Sequence, residues 1–207
     1  METTETSSMG LRERKKWETR QALSWAAVRL AVERGLNNVL VEDIAAEVGV
    51  SPRTFNNYFS SKAEAISARH LDRGRQIAAA LRARPADESL WEAITHVAVS
   101  HAGPDDQRPD PEWTAGVRLM TSEPSVQGEF MKASAAAESE LAVAIAERIG
   151  ADAERDMYPG LVAAAVGAAT QVAIQHWLRS DPPVPLTPLL RDALDQIAAG
   201  LPQPPTG

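Results

Sequence analysis

The chain has 207 residues, of which 44% are hydrophobic, 24% charged and 5% aromatic, with a net charge of −7. This length and balance suit one or two globular domains with a real core, and the absence of cysteine excludes a disulfide framework, a thiol nucleophile and cysteine-based zinc sites. The longest nearly apolar run, 161–174, is shorter than the roughly 18–20 residues that cross a bilayer, and the opening METTETSSMG has no apolar stretch behind a basic one. The expectation is a cytoplasmic protein without a membrane segment.

Prolines segment the sequence, because a proline inside a helix costs about 3 kcal/mol. The stretches between them carry apolar residues at helical spacing, and strand-like alternation is missing, so the expected fold class is all-α. Leu23, Ala26, Ala27, Leu30 and Ala31 mark a first helix after Thr19 that stops at Gly35. Val41, Ile44, Ala45 and Val48 mark a second of about two turns, closed by Gly49. Ser51 and Pro52 form an N-cap and first-turn pair that opens a third short helix to about Tyr58. Ser61-Lys62-Ala63-Glu64 has the form of a capping box and opens a fourth helix to about Arg82. Beyond Pro85 the composition turns to Ala, Leu and Val, with helices expected at 87–101, 111–121, 124–149, 158–180 and 187–200 and Pro-rich linkers at 103–111 and 181–188. The domain boundary is expected near Gly74, giving domains 1–74 and 75–207 with net charges of +1 and −8. Within 11–20, Arg12, Arg14, Lys15, Lys16 and Arg20 outnumber Glu13 and Glu18, and this basic run on an acidic chain suggests one polyanion-facing end.

Two short helices joined by a glycine turn make a helix-turn-helix whose second helix would lie in a DNA major groove. On a wheel of about 100° per residue, Phe55, Phe59 and Pro52 share the inward face, and Arg53 and Asn57 the outward one, flanked by Thr54 and Asn56. The outward residues can reach guanine N7/O6, phosphate oxygen and adenine N6/N7. Ser51 and Pro52, which set the start of this helix, are expected at the DNA interface too, and Tyr58, Lys62 and the Arg14, Lys15 and Lys16 arm are candidates for phosphate contacts. Lys62 also lies in a first helical turn, which favours the same anion.

The run from Thr19-Arg20-Gln21-Ala22-Leu23 through Glu33-Arg34-Gly35, then Val41-Glu42-Asp43-Ile44-Ala45, Val48-Gly49-Val50-Ser51-Pro52-Arg53-Thr54-Phe55 and Tyr58-Phe59-Ser60-Ser61-Lys62, resembles the DNA-binding domain of the TetR family of repressors in order and spacing over about 14–66. The basic run 11–16 and the form S-P-R-T-F-x-N-Y-F look like the actinobacterial branch with an acyl-CoA-like ligand-binding C-terminal domain. Two residues depart from the family pattern. Leu40 stands where Thr usually caps the second helix and contacts phosphate, so the cap is expected to shift to Asn37 or Asn38. Asn56 stands where an aromatic residue is usual, which implies an operator atypical of the family, unless Asn56 touches only phosphate or water.

The resemblance implies a helical C-terminal half that binds a small molecule and forms a homodimer. Leu190, Leu194, Ile197 and Leu201 make a seam on the last helix, and the helix before it offers Gly160, Ala164 and Ala168, beside Ala165, Ala169 and Ala173, for close approach, with Val172 also expected at the interface. Two such helices from each subunit would form a four-helix dimer interface. Trp91, Trp113, Leu119, Met120, Phe130 and Trp177 are the large apolar candidates for a ligand cavity, with His96, His101, Arg118 and His176 as polar anchors. The implied partners are a double-stranded palindromic operator and a small apolar inducer such as a fatty acyl-CoA, with no cofactor. Catalysis finds no support, because the four histidines lack metal-ligand spacing and the nucleophile and phosphate-loop motifs are missing. A helical dimeric adaptor that binds a protein is the alternative, but it leaves the outward Arg53, Thr54 and Asn57 without a purpose.

Overall fold

Five prolines lie in first turns of helices, where a missing N–H breaks no internal hydrogen bond: Pro52, Pro111 and Pro124 each open one helix, and Pro159 and Pro188 stand within a turn of the start of two others. The computed structural model describes residues 10–102, 111–182 and 184–202, excepting the side chains of residues 11 and 111–113. Among these the elements are α1 (Leu11–Arg34), a 3-10 turn (Leu36–Asn38), α2 (Val41–Glu47), α3 (Pro52–Asn56), α4 (Lys62–Arg82), α5 (Leu90–Ser100), α6 (Pro111–Ser122), α7 (Pro124–Ile149), α8 (Met157–Arg179) and α9 (Leu186–Ala198). The fold is all-helical, with no strand among the described residues. Two compact units divide the chain, Met1–Arg69 and His70–Gly207, so the division falls within α4, one turn before Gly74.

In the first unit, α1 starts at Leu11, so the basic run is helical, and it ends at Gly35, whose φ of 78° a side-chain-bearing residue rarely adopts. Leu23, Ala26, Ala27, Leu30 and Ala31 bury one face of α1, and Leu36, Val39, Ile44, Ala45, Phe55, Phe59, Ala65 and Ile66 complete the unit's core. Polar ties fix the helices over this core. The Ser24 hydroxyl donates to the Ala65 carbonyl at 2.6 Å, and Arg29 on α1 pairs with Glu47 on α2. The start of α2 departs from expectation, because its cap stays at Leu40. The Asp43 carboxylate reaches back to accept from the Leu40 N–H at 2.8 Å, whereas Asn38 turns to α1 and donates to the Arg34 carbonyl at 2.8 Å. Asp43 at the third helical position thus supplies one half of a capping box, the bond back to the Leu40 N–H, while the apolar Leu40 side chain accepts nothing from the first turn.

The second unit is built around α8, whose inward residues Val162, Ala163, Val166, Ala169, Ala173 and Trp177 share one core with α5, α7 and α9. By length and a mean hydropathy of 1.4, α8 would also suffice to cross a membrane, but this inward face is occupied by its own neighbours. Along α4 and α7, Arg75 pairs with Glu140 and Arg82 with Glu147, seven residues on along both helices, so the two run in parallel. At the turn into α5, the Arg148 guanidinium donates to the carbonyls of Pro85 and Glu88 at 2.6 Å. There Ser89 and Glu92 cap α5 reciprocally, the carboxylate accepting from the Ser89 N–H at 3.2 Å.

The expected dimer seam on α9 needs correction. Leu190 and Leu194 are buried in the unit's own core and Ile197 packs against it, because α9 lies on α8 and α5 of the same chain. Ala164, Ala168 and Val172 on α8 are exposed instead. Met157, Tyr158 and Leu161 extend that exposed face toward the start of α8.

Candidate nucleic-acid interface

The turn between α2 and α3 depends on Gly49, with φ at 72°, beside which Val50 donates to the Ala45 carbonyl at 2.9 Å. Ser51 then caps α3. Its hydroxyl accepts from the Thr54 N–H at 3.1 Å and meets the Thr54 hydroxyl at 2.9 Å, and Pro52 holds the first helical position. Phe55 and Phe59, the first on α3 and the second just past it, are buried with their rings 5.7 Å apart, and the Arg20 guanidinium stands 5.1 Å from the Phe59 ring centroid. This anchor fixes the rotation of α3 and leaves Arg53, Asn56 and Asn57 exposed, with Thr54 and Tyr58 half-buried beside them. An exposed guanidinium and two exposed amides on one short helix and its C-cap are the groups that can donate to and accept from base edges. Ser51 is exposed as well, and so is Pro52, which the wheel had set inward. A residue at the first helical position stands at the helix mouth, where little packs over it.

Lys62 has a different role from the one expected. Its ammonium is half-buried and donates to the carbonyls of Leu36 at 2.9 Å and Val39 at 2.5 Å, so it caps the 3-10 turn between α1 and α2. Carbonyls left open by an irregular turn compete for a cation as a phosphate would. On α1, Arg14, Lys15 and Lys16 are exposed, with Arg14 3.8 Å from Glu18.

In the second unit, Trp91 and Met120 are partly buried and Trp177 is buried, all on the same core. Phe130 is half-buried, with its ring centroid 4.6 Å from that of His70, and the Trp113 side chain lies outside the described residues. The anchors disperse: His96, Arg118 and His176 are exposed, and the His101 ring nitrogen meets the Val97 carbonyl at 2.7 Å. Sequence reasoning passed over His70, on which burial and the nearby Arg73 charge push the imidazole down to about 4. The available signal was a histidine and an arginine three residues apart on a helix otherwise rich in alanine.

Two family models match the chain, one described as bacterial regulatory proteins of the tetR family, over residues 25–68, and one as the MftR C-terminal domain, over residues 88–202. The HTH-type transcriptional regulator TcmR of Streptomyces glaucescens is 33% identical over 178 residues, which are 83% of this chain and 79% of that protein. Among solved structures, SmeT, the repressor of the Stenotrophomonas maltophilia multidrug efflux pump SmeDEF, superposes with a TM-score of 0.58 at 16% identity, over 90% of this chain and 97% of that one. FadR of Thermus thermophilus, a TetR-family transcriptional repressor solved in complex with lauroyl-CoA, does so with a TM-score of 0.51 at 20% identity, over 90% and 97%. Both structural likenesses bear on the fold.

Proposed function

The chain belongs to the TetR family of bacterial regulatory proteins, DNA-binding transcriptional regulators, and from that premise we propose that it acts in the cytoplasm as a homodimeric repressor of a palindromic operator, released by a small apolar ligand. The observation that carries the DNA reading is α3, held by Phe55 and Phe59 and presenting Arg53, Asn56 and Asn57 outward. Two copies of α3 related by a two-fold axis would meet successive major grooves about 34–36 Å apart, so the half-sites should form a palindrome. Arg53 and one asparagine supply base readout. Ser51, Thr54, Tyr58 and the Arg14, Lys15 and Lys16 stretch supply phosphate contacts, and affinity therefore falls steeply with salt.

For the ligand, a fatty acyl-CoA is the class proposed. It is supported by the lauroyl-CoA held by the FadR relative and by the large apolar residues Trp91, Met120, Phe130 and Trp177 of the second unit. Release follows if the ligand favours a dimer whose α3 helices no longer match the groove spacing, with α4, continuous across both units, as the lever. Exposed Ala164, Ala168 and Val172 on α8 are the proposed dimer surface.

Selection of sites from a random duplex pool, followed by acyl-CoA addition, tests this reading. A palindromic consensus released by an acyl-CoA is the expected result. Absence of any enriched sequence at moderate salt would refute the DNA reading, and enrichment without release would refute the ligand class alone. Arg53→Ala should lose about 1–3 kcal/mol of discrimination at one base position of that consensus. Equal losses on operator and random DNA would remove Arg53 from base readout.

A further inference from the structure

The arginines around α4 and α7 mostly have partners. Arg75 lies 3.3 Å from Glu140 and 4.0 Å from Asp72, Arg82 pairs with Glu147, Arg84 with Glu88, and Arg148 with backbone carbonyls. Arg73 differs. It is half-buried on α4, and no hydrogen bond or ion pair of its guanidinium occurs among the described residues. A charge taken from water without a counter-ion is costly, and burial accordingly lowers the Arg73 guanidinium from its ordinary value.

The neighbouring groups explain why this charge stays unmatched. Asp72 and Glu140 face Arg75, and the Glu138 carboxylate lies against Gly167 on α8. His70, one turn earlier on α4, is held uncharged at neutral pH and offers a ring nitrogen rather than a second cation. Phe130 of α7 covers His70 with an apolar face. A cation, a neutral imidazole and an aromatic wall thus lie along one stretch of the second unit, and the guanidinium has no ion pair among the described residues.

We propose that Arg73, with His70 and Phe130, forms an anion subsite in the second unit that takes the carboxylate or phosphate group of an apolar ligand. This rests on the ligand-responsive reading above and assigns residues to the acidic group of its ligand. The guanidinium fork matches a carboxylate or phosphate bidentately, and such charge-assisted bonds are about twice as strong as neutral ones. The ligand supplies the missing counter-ion, while Phe130 contacts the first carbons beyond its acidic group.

The test titrates the full-length protein with dodecanoate, dodecyl phosphate, inorganic phosphate and 1-dodecanol, following tryptophan fluorescence and checking by calorimetry. Dodecanoate or dodecyl phosphate should bind at least about tenfold more tightly than dodecanol. Arg73→Gln should abolish that preference and leave dodecanol affinity unchanged, while Arg73→Lys should retain part of it. The proposal is overturned by equal binding of acid and alcohol, by no binding of any probe, by an acid preference that survives in Arg73→Gln, or by inorganic phosphate binding as tightly as its dodecyl ester. Should Arg73→Gln fail to fold, Arg73→Met takes its place in every arm. Operator binding without ligand is measured on wild type and variant alike: its loss in the wild type would refute the regulator reading, independently of the ligand arms.

Discussion

Lys62 illustrates how one side chain's destination depends on backbone far away in sequence. Its ammonium satisfies the Leu36 and Val39 carbonyls, and a hydrogen bond of a charged group contributes about 1.5–3 kcal/mol. Lys62→Met should therefore lower the unfolding free energy by about 1–3 kcal/mol in urea titrations and leave the slope of operator affinity against salt unchanged. A phosphate contact would instead reduce that slope by about one unit, which is the outcome that would restore the role expected from sequence. His70 carries a second residue-level prediction. Its folded-state value of about 4 lies below the 6.5 of an ordinary imidazole, first through burial and then through Arg73. Between those values the unfolded chain binds a proton that the folded chain refuses, so stability is fully present above about pH 6.5 and falls as pH drops toward 4. The loss is at most roughly 3 kcal/mol, and His70→Gln should flatten the difference between unfolding curves at pH 7 and pH 5 relative to wild type. Identical pH dependence in the two proteins would contradict the burial of His70.

Helices along which two partners meet closely are sensitive to single methyl groups. A Cβ at Gly74 of α4 would overlap the Ala137 methyl on α7 and come within 3.1 Å of the Ala137 Cα. Alanine gains about 1 kcal/mol over glycine in a helix interior, but overpacking costs about 1–3 kcal/mol, so Gly74→Ala should be destabilising on balance. A raised melting temperature would show that α4 and α7 can separate without loss. The same contrast explains what could be read from sequence. Proline positions and apolar spacing locate α1 to α9, since both signals are local, and Ser51-Pro52 specifies its own cap. They do not say which helix an apolar stripe faces. Leu190 and Leu194 make the same pattern whether α9 packs on its own α8 or on a partner's, and only tertiary structure places them in the chain's own core. Lys62 and Asp43 were illegible for a related reason, as each answers an open backbone group created by a turn rather than a neighbour at fixed spacing.

The whole molecule sets charge and symmetry against one another. Its 75–207 portion is acidic and its 1–74 portion nearly neutral, so the proposed attraction to DNA rests on local arrays such as Arg53 and the α1 cations rather than on the overall field. Weak single-site attraction makes a second linked recognition helix valuable, because joining two binding modules can raise affinity by about 10²–10⁴. On α8, Met157, Leu161, Ala164, Ala168 and Val172 recur at helical spacing and are exposed, with Leu161 at 62% and Val172 at 51%. A continuous exposed apolar stripe marks an association surface. The double substitution Leu161→Glu and Val172→Glu should therefore leave the helical content and melting of the subunit unchanged, yield monomers in sedimentation, and weaken operator binding by about 100-fold or more. Leu194→Ala supplies the contrast: fully buried in the subunit core, it should cost about 2–5 kcal/mol of unfolding free energy without converting the folded protein to monomer. If the double variant stays dimeric, α8 is not the two-fold interface. If Leu194→Ala dissociates the dimer at unchanged subunit stability, α9 reaches the partner after all, and the division of labour between the two helices is reversed.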